Sequence, residues 1–353
     1  MDRMRLMGRA KAGQGKHYAK VRSQNKSIPD EVLKLLLKQK YHIAGEHSAA
    51  KLCHWTHSTL TGGIGCYKNK FYGIASHRCL QCTPSLLFCN HACVFCWRIM
   101  PEKSLSFEDM PSRGFRWDEP KKVVELLLKA QQEIISGYGG NPKVSRQKYQ
   151  EALRPAHAAL SLTGEPAIYP YLEELIKEFH NRNMTTFLVT NGTFPERIAR
   201  MEELPTQLYV SMVAPDLEVY KRAIRPKSPI LWERYLQTLE LLAQFGQKTR
   251  TVLRMTLTRG VNDFGWEGYA RQILTALPKY VEVKSMVFVG GARLPERGLS
   301  LKSMLTIDEI EGIAKKLADL TGYRVSDRHE LSRVVLLCRD EKAEKERLIK
   351  WQR

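Results

Sequence analysis

The sequence predicts an α/β fold on a parallel sheet, either an open doubly wound sheet or an incomplete (βα) barrel. Two observations carry this expectation. Short apolar runs of strand character alternate with amphipathic helical patterns six times in order, and such units join through right-handed crossovers into a parallel sheet. The chain has 353 residues, 43% of them hydrophobic, enough to bury one large core. In either architecture, functional residues belong just after strands, at the carboxyl edge of the sheet.

The strand-like runs are Ser85–Phe88, Ala158–Leu162, Thr186–Val189, Leu208–Val213, Val252–Leu257 and Val281–Val289. Helical patterns lie around Lys121–Ile135, Tyr171–Asn181, Pro195–Met201, Leu231–Phe245, Glu267–Leu277 and Ile307–Leu320. Ahead of them, Met1 to Pro29 carries eight basic residues (Arg3, Arg5, Arg9, Lys11, Lys16, Lys20, Arg22, Lys26) against Asp2 alone. With almost no apolar periodicity, it reads as a flexible basic arm, a solvated tail or a nucleic-acid contact.

Lys plus Arg total 56 against 37 Asp plus Glu, a net charge of +19. The expected partner is a polyanion: RNA, DNA or an anionic membrane. No apolar run approaches the ~18 residues of a membrane span, and the polar opening lacks the apolar core of a signal peptide. A soluble, cytoplasmic protein is therefore expected. Seven of the eight cysteines lie between Cys53 and Cys96, which in a reducing compartment points to metal ligation more than to disulfides. Cys338 ends the apolar run Val334-Val335-Leu336-Leu337 and is expected in a core strand.

Cys89-Asn90-His91-Ala92-Cys93-Val94-Phe95-Cys96 is a C-x3-C-x2-C motif directly after the first strand-like run. Three closely spaced thiolates can hold three irons of a 4Fe–4S cluster and leave the fourth open. An open iron can chelate S-adenosylmethionine, and one electron then breaks a carbon–sulfur bond to give a 5′-deoxyadenosyl radical. Cys79-x2-Cys82 with Cys93-x2-Cys96 also fits a zinc ribbon in a non-catalytic RNA-binding protein. Its gap is shorter than the ~15–20 residues usual for such sites, and it leaves Cys89 unused.

At these residues the chain resembles the radical S-adenosylmethionine superfamily, which implies a (βα)6 partial barrel with the triplet in the loop after the first strand. Thr163-Gly164-Glu165-Pro166 looks like the superfamily segment that binds the methionine amino group. Thr190-Asn191-Gly192 and Ser211 are similar to positions that line the bound cofactor.

Cys53, Cys66 and Cys79 recur every thirteen residues ahead of the triplet, within a stretch that includes Gly65-Cys66-Tyr67-Lys68-Asn69-Lys70. From about Leu52 onward this resembles the archaeal-type tRNA 4-demethylwyosine synthases. The resemblance implies a second 4Fe–4S cluster on Cys53, Cys66 and Cys79. It also implies a reaction on N1-methylguanosine 37 of phenylalanine tRNA with two carbons of pyruvate, a carbon–carbon lyase chemistry. Lys68 matches the lysine that the family places near pyruvate, as a charge partner or an imine former; the bland alternative is a solvated lysine in a turn.

Cys82 has no counterpart in that pattern, so it is a fourth ligand of the second cluster or a spare thiol. No chain length remains for a flavodoxin domain, so a separate electron donor is expected, and the protein is read as a monomer. A tRNA methylthiotransferase is the other two-cluster reading, but it needs extra domains that this length does not hold. The expected organisation is a basic extension (1–50), a second-cluster segment (51–82), a radical SAM partial barrel (83–325) and a carboxyl-terminal strand and tail (326–353).

Overall fold

A computed structural model describes residues 18–103 and 105–351. Ten strands form one sheet in the order β1-β2-β3-β4-β5-β6-β7-β8-β10-β9. They are β1 (Tyr41–Ala44), β2 (Ser48–Lys51), β3 (Cys79–Thr83), β4 (His157–Leu160) and β5 (Thr185–Thr190), then β6 (Gln207–Met212), β7 (Arg250–Met255), β8 (Tyr280–Lys284), β9 (Arg324–His329) and β10 (Val334–Cys338). From β3 to β8 every neighbour is parallel and follows in chain order. A doubly wound sheet would reverse its order at a switch point, so this sequential run decides for the barrel topology. The antiparallel pairs β1–β2 and β9–β10 flank it, and no pairing between them closes the barrel among the described residues.

The helices Pro120–Ser136, Leu172–His180, Pro195–Ala199, Leu231–Phe245, Trp266–Ala276 and Ile307–Thr321 follow the sequence patterns closely. Their apolar stripes cover the outer face of the sheet, where Leu160, Leu188, Leu208, Leu253 and Val281 form the main core. The inner face is closed by the short helices Tyr67–Tyr72 and Glu341–Lys345 and by Ile349, packed on Ala159, Phe187, Tyr209, Val252 and Tyr280. Arg250 anchors this closing tail, donating to the carbonyls of Glu346 at 2.8 Å and Arg347 at 2.6 Å. Cys338 is fully buried on β10, as expected.

Three expectations are corrected. The first parallel strand is Cys79–Thr83, and Ser85–Phe88 is a buried loop. Pro84 has no N–H for a ladder, the amide of Leu86 donates to the His47 carbonyl, and Leu86, Leu87 and Phe88 pack beneath helix Asp30–Lys38. The last run ends at Lys284, beyond which Val287 and Val289 are exposed. The basic arm lies partly outside the described residues, but Tyr18 to Pro29 is docked and not free. Arg22 pairs with Asp30 at 2.9 Å, and buried Asn25 donates to the carbonyl of Gly45 at 2.7 Å. Among the described residues, no helix is long and apolar enough to cross a membrane.

Candidate active site

The triplet lies beyond the carboxyl end of β3, and buried cations hold its backbone. Arg297 donates to the carbonyls of Cys93 and Cys96, both at 3.1 Å, and is fixed by Glu102 at 2.6 Å. Arg98, 1% exposed, donates to the His91 carbonyl at 2.8 Å and to Asp109 at 3.1 Å. Arg225 bonds the Ala92 carbonyl, and Lys227 pairs with Asp109. Both side chains are exposed and brace the cysteine loop or the carboxylate that holds Arg98. Cys89, Cys93 and Cys96 are half-buried and in no disulfide.

A polar cradle adjoins this loop. Glu165 accepts from Thr190 Oγ1 at 2.6 Å, from the amide of Asn191 at 2.7 Å and from the amide of Ala167 at 2.9 Å. Burial pushes its carboxyl up to about 7, against the pull of those donors. Asn191 in turn reaches Asn90, whose own amide donates to Thr193 at 2.8 Å. Gly164 has φ of +72°, and a β-carbon there would overlap the Ser85 carbonyl and sit 2.9 Å from that of Phe88. Only glycine admits this approach of the loop after β4 to the segment before the triplet. Ser211 lies on β6, on the inner face by alternation from Tyr209.

Of the other trio, Cys66 and Cys79 pack in the inner cluster. Cys53 and Cys66 stand at the amino ends of helices His54–Leu60 and Tyr67–Tyr72, and Cys79 opens β3. Burial pushes the Cys53 and Cys79 thiols up; Cys66 pushes both the same way, and Lys68 pulls both back. Cys82 does not join them. Three positions along a strand reverse the face, and Cys82 is fully buried in the outer core while Cys79 abuts the inner one. That geometry removes the Cys79-x2-Cys82 zinc pair and the fourth-ligand role alike.

Lys68 is 8% exposed, which excludes the solvated turn. Its Nζ lies 4.9 Å from the Phe187 ring centroid and 5.0 Å from that of Tyr209. No described carboxylate pairs with it in an ion pair. Burial lowers its pKa and the nearby Arg254 lowers it further.

Comparison with known proteins decides the family. The Radical SAM superfamily model matches residues 84–273, and the Wyosine base formation model matches residues 275–339. The S-adenosyl-L-methionine-dependent tRNA 4-demethylwyosine synthase of Pyrococcus horikoshii is 48% identical over 321 residues, covering 90% of this chain and 91% of that protein. The chain belongs to the tRNA 4-demethylwyosine synthase family. The synthase of Methanocaldococcus jannaschii is 42% identical over 311 residues, covering 88% of this chain and 96% of that one. Among solved structures, one of TYW1 with a lysine–pyruvate adduct bound is 42% identical, with a TM-score of 0.78 over 89% of this chain and 97% of that chain. A crystal structure of archaeal TYW1 is 37% identical, with a TM-score of 0.71 over 91% and 98%.

Membership makes this synthase a radical SAM enzyme of wyosine biosynthesis, which implies a 4Fe–4S cluster and S-adenosylmethionine. The donor chemistry fits them: three free thiols beside a cradle that only glycine can form, with a buried carboxylate accepting from the next loop. Sequence reasoning missed Asn90, Arg98, Arg254, Glu282 and Arg297. A signal existed for two of them, because Arg254 and Glu282 interrupt otherwise apolar strand runs.

Proposed function

We propose that the chain converts N1-methylguanosine 37 of tRNA-Phe to 4-demethylwyosine with two carbons of pyruvate, in the cytoplasm, as a carbon–carbon lyase with two 4Fe–4S clusters. Cys89, Cys93 and Cys96 would hold one cluster, and Cys53, Cys66 and Cys79 the other. Thr163, Gly164, Glu165, Thr190, Asn191, Gly192 and Ser211 would seat S-adenosylmethionine. With cluster and cofactor bound, the site supplies a 5′-deoxyadenosyl radical to take hydrogen from the N1-methyl group. A separate donor delivers the electron.

The observation that carries this reading is Lys68: a buried amine without a described carboxylate in an ion pair, beside Cys66, in a chain 42% identical to a TYW1 solved with a lysine–pyruvate adduct bound. Its amine would add to the keto carbon of pyruvate and release water, giving an imine. Exposed Lys143 and Arg146 are candidates for phosphate contacts outside the barrel. The test is borohydride reduction of the reconstituted enzyme with labelled pyruvate. Label should fix to the wild type and not to Lys68→Ala, which should keep its iron and lose the tricyclic product. Normal product from Lys68→Ala refutes a role for the lysine in the reaction.

A further inference from the structure

Arg254 lies in the run Val252-Leu253-Arg254-Met255 of β7, and Val252 places its alternate positions on the inner face. In register it stands between Ser211 on β6 and Glu282 on β8. Glu282 is fully buried and has both oxygens committed. Oε2 accepts from Arg254 Nε at 2.9 Å, and Oε1 accepts from the Tyr72 hydroxyl at 2.9 Å. The guanidinium carbon packs 4.2 Å from the centroid of the Tyr209 ring, the ring that also carries the Lys68 amine at 5.0 Å.

One edge of this guanidinium is therefore fixed and another is open. Arg254 Nη2 is buried and has no hydrogen-bond partner among the described residues. An unmatched buried donor on a cation is unfavourable relative to a paired one, so an anion is the ligand that relieves it. Lys68 adds a second cation on the same ring, and Glu282 is already shared with Tyr72. A planar carboxylate fits a guanidinium edge far better than it fits a point-charge ammonium.

We propose that Arg254 binds the carboxylate of the keto-acid co-substrate through its open edge, with Glu282 and Tyr72 as the residues that position it. The inference rests on the reading of pyruvate as co-substrate. A carboxylate held by Arg254 puts the adjoining keto carbon near the Tyr209 ring, which the Lys68 amine also contacts. The chain thus separates the two tasks: Arg254 selects the acid and Lys68 receives the ketone. The competing role for the same cation is to balance the charge of the thiolates in the inner trio.

The test measures product formation by the reconstituted enzyme against pyruvate and against pyruvamide, which keeps the ketone and lacks the charge. Wild type should prefer pyruvate strongly. Arg254→Gln should raise the KM for pyruvate by about ten- to a hundredfold with iron content retained, the usual loss for one charged hydrogen-bond partner. Its preference for pyruvate over pyruvamide should collapse toward unity, and Arg254→Lys should restore part of it. Tyr72→Phe, which frees Glu282, should raise the KM for pyruvate with little change in kcat. Wild-type saturation by pyruvate with an unchanged KM in Arg254→Gln overturns the inference. A shifted potential of the inner cluster with unchanged pyruvate saturation does so too, and assigns Arg254 to charge balance. Wild type that uses the two ketones equally rejects the carboxylate site without any variant. Wild type that makes product independently of pyruvate is a different failure, that of the co-substrate reading itself.

Discussion

Asn191 Nδ2 donates to Asn90 Oδ1 at 2.7 Å, and so ties the loop after β5 to the interior of the cysteine motif. Asn90 completes the tie by donating to Thr193 and by accepting from the Lys227 amide at 3.0 Å through its own carbonyl. Two segments a hundred residues apart are thereby fixed against each other by neutral side chains.

Asn90→Ala should leave the Asn191 amide without its partner, a cost of roughly 1–3 kcal/mol in ordering the two loops. The expected outcome is weaker S-adenosylmethionine binding, by about tenfold or more, with iron content retained. Uncoupled 5′-deoxyadenosine formation against cofactor concentration measures it. An unchanged saturation curve contradicts the tie.

Gly164→Ala should be disabling. The residue sits at φ of +72°, and its β-carbon would overlap the Ser85 carbonyl. Backbone strain of ~1–3 kcal/mol comes before any clash is relieved. Thermal unfolding should show a lowered midpoint, and cofactor cleavage should fall in whatever protein folds. Wild-type stability together with normal cleavage would mean that the loop moves freely.

Cys82 and Cys79 should separate cleanly. Cys82→Ala removes a small side chain from the outer core and should cost about 1 kcal/mol while all iron is kept. Cys79→Ala should lower iron to about half, as expected when one of two clusters is lost. Iron analysis after anaerobic reconstitution decides, and loss of iron from Cys82→Ala would place that thiol back among the ligands.

The amino end of helix Ile307–Thr321 carries an acid-sensitive contact. Arg259 grips Glu309 with two bonds of 2.7 Å, and Glu309 also accepts from the Thr306 amide at 2.7 Å. These donors, Arg259 foremost, hold the carboxyl down at about 2 against an ordinary 4.5. A carboxyl depressed in the folded state stabilises fully above its ordinary value and loses that contribution as pH falls through the folded one. Glu309→Gln should thus lower the unfolding midpoint at neutral pH, and the gap from wild type should close as pH drops from about 4.5 toward 2. A gap that stays constant over that window rules out the carboxylate as its source.

Five of the six strand runs and the position of most helices within one or two residues were legible in the amino-acid order. Each is written locally: helices by a period of 3.6, strands by apolar runs. The order Cys89, Thr163, Thr190, Ser211 also follows from the chain, because a parallel barrel sets loops side by side in sequence order. Misreadings arose where local signals coincide with another environment. Leu86, Leu87 and Phe88 are apolar because helix Asp30–Lys38 covers them, and a buried loop has the composition of a short strand.

The tertiary structure alone decided faces and partners. Cys79 and Cys82 look like a ligand pair until strand alternation sends them to opposite sides of the sheet. Lys68 could be a surface lysine until Phe187 and Tyr209 arrive from later strands to bury it. Arg254 meets Glu282 only through the register of β7 with β8, and Tyr72 only through the packing of a short helix on the inner face. Such contacts join residues as much as 210 positions apart, and no local period encodes them. They are fixed when sheet curvature and strand register bring distant segments to one interior.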